Sequence, residues 1–358
     1  MDDERDAHGK GHVLLAGGGS GGHVFPALAV AEELAARGWR VSFAGAAGGF
    51  EARLVPQRGI DFHALPARPL LGRGPGARLL ALATTARSAV SAARLVRRLG
   101  VTVVLGTGGY VSAPAVLGAR LAGRPILLLE PNAHAGVANR WLSRWATAAA
   151  VAYGETAADL RCPCEVTGVP VRQAFFAVPA LDVAATSPRP GAAANAGRQL
   201  LVLGGSQGAR QINRALPVAA ARLLAAMPDL RIVHQAGAAN VDETRTAYTA
   251  AGVTVDAEGR EQAAGTVRVV PFLDDVAGAL AASHLLVSRA GAITLAEICA
   301  AGRPSLLAPL TVALGHQEGN ARLLAAAGAA EVLATAELEP EILAGRLVAL
   351  LGDGVRLA

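Results

Sequence analysis

The stretch His12–Gly38, HVLLAGGGSGGHVFPALAVAEELAARG, decides how the chain folds. Val13–Ala16 is an apolar run of strand length, Gly17–Gly22 is a succession of small residues, and apolar positions return at helical spacing from Val24 until Gly38. A strand, a glycine loop and a helix in this order bring free backbone N–H groups and the positive end of a helix dipole to one point, which favours a phosphate. A tight turn that only packs helix on strand is the plainer alternative, but it needs fewer small residues than stand here.

Outward from this unit, short apolar runs alternate with longer amphipathic segments: WRVSFAG (39–45), VTVVLG (101–106), RPILLLE (124–130) and ATAAAVAY (146–153). Alternating strand and helix predicts a parallel sheet covered on both faces. The pattern pauses in SPRPGAAANAGRQ (187–199) and restarts with LLVLGG (200–205), LRIVHQAG (230–237), VRVVPF (267–272), HLLVSRAG (284–291) and RPSLLAPL (303–310). The halves open alike, LLAGGGSGGH from Leu14 and LVLGGSQGAR from Leu201, and 358 residues accommodate two such domains. The expectation is an α/β chain of two Rossmann-like domains whose strand ends face each other across a cleft.

A composition of 52% hydrophobic and 17% charged residues excludes a disordered or coiled-coil chain. All but one of the 33 basic residues are arginine, and Lys10 precedes the first strand, so a Walker A lysine and a pyridoxal Schiff base in the core are excluded. Cys162, Cys164 and Cys299 with no Cys/His quartet at zinc spacing argue against a disulfide framework and a structural metal, and fit a reducing compartment. The polar start, MDDERDAHGKGH, lacks the apolar core of a secretory signal. Leu99–Ala119 is uncharged and long enough to span a membrane, but its five glycines and Pro114 read as strand, loop and helix.

Gly17–Gly22 satisfies G-x-G-x-x-G, yet WRVSFAGAAGG carries no acid at the end of the second strand, which disfavours NAD. Gly106–Tyr110 and Gly204–Ala209 close further strands ahead of helices and offer two more anion nests, each also readable as a simple turn. After HLLV, Glu297 falls about one turn into a helix, where it can accept from ribose hydroxyls or simply suit the helix dipole. His23 stands at the mouth of the first loop, where a histidine, with a reference pKa of about 6.5, suits general-base work if it faces the cleft, and a loop-capping role is its alternative. No Asp-x-Asp pair stands on a loop, only Asp2-Asp3 and Asp274-Asp275, so metal-independent chemistry with no cofactor is expected.

No Asp or Glu occurs from Phe62 to Leu129, whereas nine arginines do. Within that stretch, ARPLLGRGPGARLLALATTARSAVSAARLVRR (67–98) mixes Arg with Leu70, Leu71, Leu79, Leu80 and Leu82, the composition of a surface that docks on anionic lipid headgroups. It has no aromatic residue on which a nucleic-acid base could stack, so nucleic acid is not expected as a partner. A solvated helix face over a core stripe accounts for it equally well.

Taken together, GGGSGGHVFPALAVAEEL (17–34), GTGGYVSAPAVLGA (106–119), LEPNAHAGVANRWLSRWA (129–146), TGVPVR (167–172), GGSQGARQIN (204–213), the run from Pro271 to Leu310 and HQEGNARLLAAAGAA (316–330) resemble, in order, the motifs of the MurG family of bacterial glycosyltransferases. The resemblance covers roughly Val13 to Ala330. It implies a GT-B fold, with residues 11–168 forming an acceptor and membrane-associating domain completed by a C-terminal helix at 342–358, and residues 169–341 a UDP-N-acetylglucosamine domain. It implies an inverting transfer of N-acetylglucosamine to the muramyl 4-hydroxyl of lipid I, giving lipid II, by a peripheral enzyme on the cytoplasmic face of the membrane. The partners are then UDP-N-acetylglucosamine, lipid I and anionic inner-leaflet phospholipid, with other wall-synthesis proteins as candidates.

By the same resemblance, His23 is the leading base and Glu130 the second choice. The donor is held by Arg172 at the phosphates, Ser206 in the third loop, Leu273 at uracil through its backbone, Ala292, Ile293, Thr294, Leu295, Ala296 and Glu297 around the ribose, and Gln317 at the sugar. Ser20, Gly21, Gly22 and Asn132 face the reacting sugars, and Gly18, Gly19, Thr107, Gly108, Gly109 and Tyr110 receive the acceptor diphosphate. The chain departs from the family pattern at Leu129 and Pro131, usually His and Gln, at Val169, usually Asn, and at Gly315, usually Asp. A UDP-N-acetylglucosamine 2-epimerase, a glycolipid transferase and an inactive binding module share the loop logic. GGHVFPALA and GTGGY oppose the epimerase, and retention of both His23 and Glu297 opposes the inactive fold.

Overall fold

A computed structural model describes residues 10–68, 74–181, 197–205, 208–256, 262–311 and 316–357. The chain divides into two compact units, Met1–Val171 and Arg172–Ala358. In the first, β1 (His12–Ala16), α1 (Gly21–Ala36), β2 (Arg40–Gly45), α2 (Glu51–Leu54), β3 (Asp61–Ala64), α3 (Pro75–Arg98), β4 (Val103–Gly106), α4 (Gly109–Leu121), β5 (Ile126–Glu130), α5 (Val137–Leu142), β6 (Ala148–Val151) and β7 (Cys164–Val166) follow in sequence. The strands form one sheet in the order β3-β2-β1-β4-β5-β6-β7, and every pairing is parallel.

Alternation along β1 builds both sides of this core. Leu14 and Ala16 point to the cluster that holds Val104, Ile126, Leu128 and the α3 and α4 residues Ala92, Val96, Ala115 and Val116. Val13 and Leu15 point the other way, to Phe43, Leu105 and the α1 residues Val24, Ala27, Leu28 and Ala31. Strand order reverses between β1 and β4, so the loops after these two strands open at the switch point where Rossmann folds bind ligands. The Leu99–Ala119 stretch is strand and helix, β4 and most of α4, as its glycines and Pro114 suggest.

The second unit opens with α6 (Gln173–Phe176) and continues through β8 (Gln199–Leu203), β9 (Arg231–Gln235), β10 (Val267–Val270), β11 (Leu285–Ser288), β12 (Ser305–Leu307) and β13 (Ala330–Val332), with helices between them. The sheet order is β10-β9-β8-β11-β12-β13, again parallel, with its switch point between β8 and β11. Leu200 and Val202 of β8 lie in one cluster with Ile212, Leu216 and Leu223 of the helix Arg210–Ala226.

The helix Pro340–Gly352 places Leu343, Ala344, Leu347, Leu350 and Leu351 in the second domain's core against the helix Arg210–Ala226, and Leu357 joins the same cluster. The C-terminal helix therefore packs within the second unit. The apolar spacing marks a buried helix face, but the same spacing says nothing of which domain supplies the partner.

Candidate active site

At the first switch point the loops after β1 and β4 are laced together. Thr107, fully buried at the end of β4, donates from its backbone N–H to Ala16 O and from Oγ1 to the backbone carbonyl of His23 at 2.7 Å. The His23 ring returns the contact, with Nδ1 2.9 Å from the carbonyl of Thr107. A carbonyl only accepts, so Nδ1 carries the proton and the neutral ring keeps its basic lone pair on Nε2. Gly109, at φ +74°, passes so close that a Cβ there would lie 3.0 Å from His23 Cδ2 and 2.8 Å from Gly18 O. Ser20 is the extended residue before α1 and, like Gly22, is exposed, and Tyr110 lies against Gly19.

Glu130 at the end of β5 is held by donors of its own domain. It is buried, and Oε1 accepts from the backbone and side-chain nitrogens of Asn132 at 3.1 and 2.9 Å. Oε2 accepts from Gly136 N and Asn139 Nδ2, both at 2.9 Å. Four donors saturate a carboxylate, so Glu130 shapes the loop that carries Asn132 and has no acceptor capacity left for a substrate proton. Asn139, which also donates to Leu129 O at 3.0 Å, completes this scaffold and was missed in the sequence.

The Gly19 N–H points to Oε2 of Glu51 at 3.4 Å. Glu51 comes just after the WRVSFAGAAGG stretch that lacks an acid, and α2 folds it back beneath the first loop. It is fully buried and bound to backbone, unlike the exposed acid a dinucleotide ribose needs.

In the second domain Arg172, one of the expected donor residues, is positioned by the segment that opens the unit. Phe175 of α6 is buried, and Arg303 donates to Pro179 O at 2.8 Å while holding Leu280 O at 2.9 Å, which fastens this segment to the sheet. Arg172, just ahead of α6, lies with Cζ 4.8 Å from the Phe175 ring centroid and donates from Nη2 to Glu297 Oε1 at 3.2 Å. Glu297 sits in the helix Ala292–Ala300, where Ala292, Ile293 and Leu295 turn into the core and Thr294, Ala296 and Glu297 are less buried. Burial raises the Glu297 carboxyl above the ordinary carboxylate range, and the Arg172 charge pulls it part of the way back.

Elsewhere in this domain Leu273 lies half-buried on the loop after β10, and Gln317 Oε1 accepts from Leu310 N at 2.9 Å, which ties the loop after β12. Asp275 caps the helix Val276–Ala281 through Gly278 N at 2.8 Å, so its partner in the Asp-Asp pair stands alone as an exposed residue. Arg289 bridges Ala308 O at 2.8 Å and Gln211 Oε1 at 2.6 Å, linking β12 to the helix after the third glycine loop. Ser206 lies outside the described residues. Among the described residues no cluster of three or more His, Cys, Asp or Glu could hold a metal ion.

Two Rossmann domains, one presenting a tautomer-fixed histidine and the other a guanidinium–carboxylate pair at its strand ends, define a glycosyltransferase of GT-B type. The N-terminal domain model of glycosyltransferase family 28 matches residues 13–151 and the C-terminal domain model of the same family matches 199–357. The chain is 41% identical over 355 residues, 97% of its length and 91% of the relative's, to the UDP-N-acetylglucosamine--N-acetylmuramyl-(pentapeptide) pyrophosphoryl-undecaprenol N-acetylglucosamine transferase of Halorhodospira halophila. Acinetobacter baumannii MurG matches in structure with a TM-score of 0.69 at 32% identity, over 97% of this chain and 92% of that one. The chain belongs to glycosyltransferase family 28, in its MurG branch. A putative UDP-N-acetylglucosamine 2-epimerase from Listeria monocytogenes, 14% identical with a TM-score of 0.66 over 97% of this chain and 89% of that one, shares the fold alone.

Proposed function

We infer that the chain moves N-acetylglucosamine from UDP-N-acetylglucosamine to the muramyl 4-hydroxyl of lipid I and so makes lipid II. The observation that carries this reading is the Nδ1–Thr107 hydrogen bond, which keeps Nε2 of His23 as the basic nitrogen at the first domain's switch point. His23 removes the hydroxyl proton as that oxygen attacks the anomeric carbon in line, UDP leaves, and the configuration inverts. Glu297 accepts from the ribose hydroxyls, and Leu273 and Gln317 contribute to uracil and sugar recognition. Arg172 and the glycine-rich strand ends stabilise the departing diphosphate without a metal, a type of electrostatic assistance worth roughly 10²-fold or more in rate per donor.

The acceptor diphosphate is assigned to Gly18 and Gly19 of the first glycine loop and to the Thr107–Tyr110 loop. Membrane docking is assigned to α3, the one helix among the described residues that is long and apolar enough to cross a membrane, over Gly76–Arg98. Its inner side is packed on α4, while Leu79, Leu80, Leu82 and Val90 are exposed beside exposed Arg78, Arg87 and Arg94. An outer face of leucine and arginine supports a peripheral seat on anionic phospholipid at the cytoplasmic face. Leu70, Leu71 and Arg73 lie outside the described residues.

The test is UDP release from UDP-N-acetylglucosamine with a short-chain lipid I analogue and a chelator present. Acceptor-dependent release is the expected result, and release or epimerisation that ignores the acceptor would overturn the reading. Sedimentation with anionic vesicles, weakening as salt rises, is the expected companion result.

A further inference from the structure

The loop between β5 and α5 carries Asn132 and is fastened by side chains from two parts of the chain. Its burial alternates: Pro131, Ala133 and Ala135 are buried, Asn132 and Gly136 are half-buried, and His134 is exposed. Pro131 fixes its own φ and lacks an N–H, so the loop leaves β5 stiffly. Glu130 receives the Asn132 and Gly136 N–H groups. The short turn Gly154–Asp159 after β6 supplies two more side chains. Thr156 is fully buried, and its Oγ1 donates to Asn132 O at 2.9 Å, with Ala133 O 3.1 Å from the same atom. Asp159 Oδ2 accepts from Ala135 N at 2.9 Å. Glu130, Thr156 and Asp159 thus hold backbone groups of Asn132, Ala133, Ala135 and Gly136.

We propose that the turn Gly154–Asp159 is a clamp on this loop and that Thr156 is the positioning residue for Asn132. A buried hydroxyl is costly unless it donates. This one directs its proton to loop carbonyls 24 residues earlier rather than to its own turn. A loop without regular structure is ordered only where its backbone polar groups find partners. Asn132 has its N–H held by Glu130 and its carbonyl by Thr156, so both of its peptide groups are placed by the domain's own side chains. Thr156 itself is out of reach of any substrate and acts on the transfer only through the loop. Misplacing a group at a reacting centre by about 1 Å costs about 10²-fold in rate, which is how a buried hydroxyl behind the site reaches the chemistry.

This inference rests on the transferase reading, and its test separates the two. Thr156→Val, Thr156→Ser, Asn132→Ala and the Thr156→Val/Asn132→Ala double variant are compared with wild type. The readouts are turnover of the lipid I analogue, UDP binding by calorimetry and amide hydrogen exchange. Thr156→Val keeps the shape without the donor, so kcat falls about 10-fold while UDP affinity stays within about twofold. Exchange of the Asn132, Ala135 and Gly136 amides quickens in the same variant. Thr156→Ser restores the donor and brings kcat back to within about threefold of wild type. On the Asn132→Ala background Thr156→Val lowers kcat by less than about twofold, because the residue it positions is already gone. An unchanged kcat in Thr156→Val overturns the proposal. So does a full further loss on the Asn132→Ala background, or loss of UDP binding, since Thr156 would then support the fold at large. Where Thr156→Val does not fold, Asp159→Ala, which removes the Ala135 tether, takes its place in the same cycle. A wild type that turns over no acceptor sinks the transferase reading, while the exchange rates still decide whether Thr156 holds the loop.

Discussion

Set side by side, Gly17-Gly18-Gly19-Ser20-Gly21-Gly22-His23 after β1 and Gly204-Gly205-Ser206-Gln207-Gly208-Ala209-Arg210 after β8 stand at the same place in two sheets of the same order. Beneath the first lies the Glu51 carboxylate. Beside the second lies a neutral network: Asn213 donates to Ala236 O at 2.9 Å and accepts from His234 Nε2 at 3.1 Å, and His234 Nδ1 accepts from the Tyr248 hydroxyl at 2.9 Å. Where the first helix presents His23, the second presents an exposed Arg210. Both loops have a helix dipole, so the dipole does not distinguish them. The side chains packed under and beside each loop do: a glutamate carboxyl reaches the first, and an Asn–His–Tyr network lies beside the second.

The sharpest way to break this contrast is His23→Ala. With Nε2 removed, kcat falls by about 10² to 10⁴, while the KM for UDP-N-acetylglucosamine is unchanged, because the donor residues lie in the other unit. Steady-state kinetics with both substrates varied checks it, and a matching rise in donor KM would erase the division of labour between the loops.

Next in size is Glu297→Gln, which weakens UDP binding by roughly 10-fold or more by removing a charged acceptor from a desolvated site. The wild-type pH dependence sharpens the assignment. Burial raises the Glu297 carboxyl, so as pH falls it takes up its proton sooner than a solvated glutamate, and both the Arg172 pair and the ribose acceptor weaken together. UDP affinity measured by calorimetry falls with pH in wild type over that range and stays flatter in Glu297→Gln. Arg210→Gln is smaller. It is an exposed charge next to a loop, so UDP affinity drops about threefold to tenfold at low salt and less at high salt.

Most of this architecture was legible. Alternating apolar runs and amphipathic segments specify parallel α/β domains, and each glycine loop announces itself between a strand and a helix. What escaped the sequence is what depends on chain reversal. Glu51 is invisible as a loop residue because its carboxylate returns from beyond β2. Gly45 and Gly49 just before it are the signal that something must come close. Glu130 reads as a catalytic carboxylate because sequence shows its chemistry and not its four donors, two of which come from Gly136 and Asn139 further along the chain. The C-terminal helix shows its apolar face plainly, but its partner, the helix Arg210–Ala226, is more than 100 residues away.

The smallest effect tests the neutral side of the contrast. Full burial pushes His234 down to about 3, so the folded domain keeps it uncharged between Asn213 and Tyr248. The unfolded chain binds that proton near pH 6.5, so its contribution to stability is complete above pH 6.5 and is lost as pH falls toward 3. The unfolding midpoint of wild type therefore drops more steeply across that window than the midpoint of His234→Gln, which starts lower but has no imidazole to protonate. Thermal melts at half-unit pH steps measure the two slopes. Equal slopes would mean that His234 takes up its proton while folded. The second loop would then rest beside a cation, and the network would no longer be its neutral neighbour.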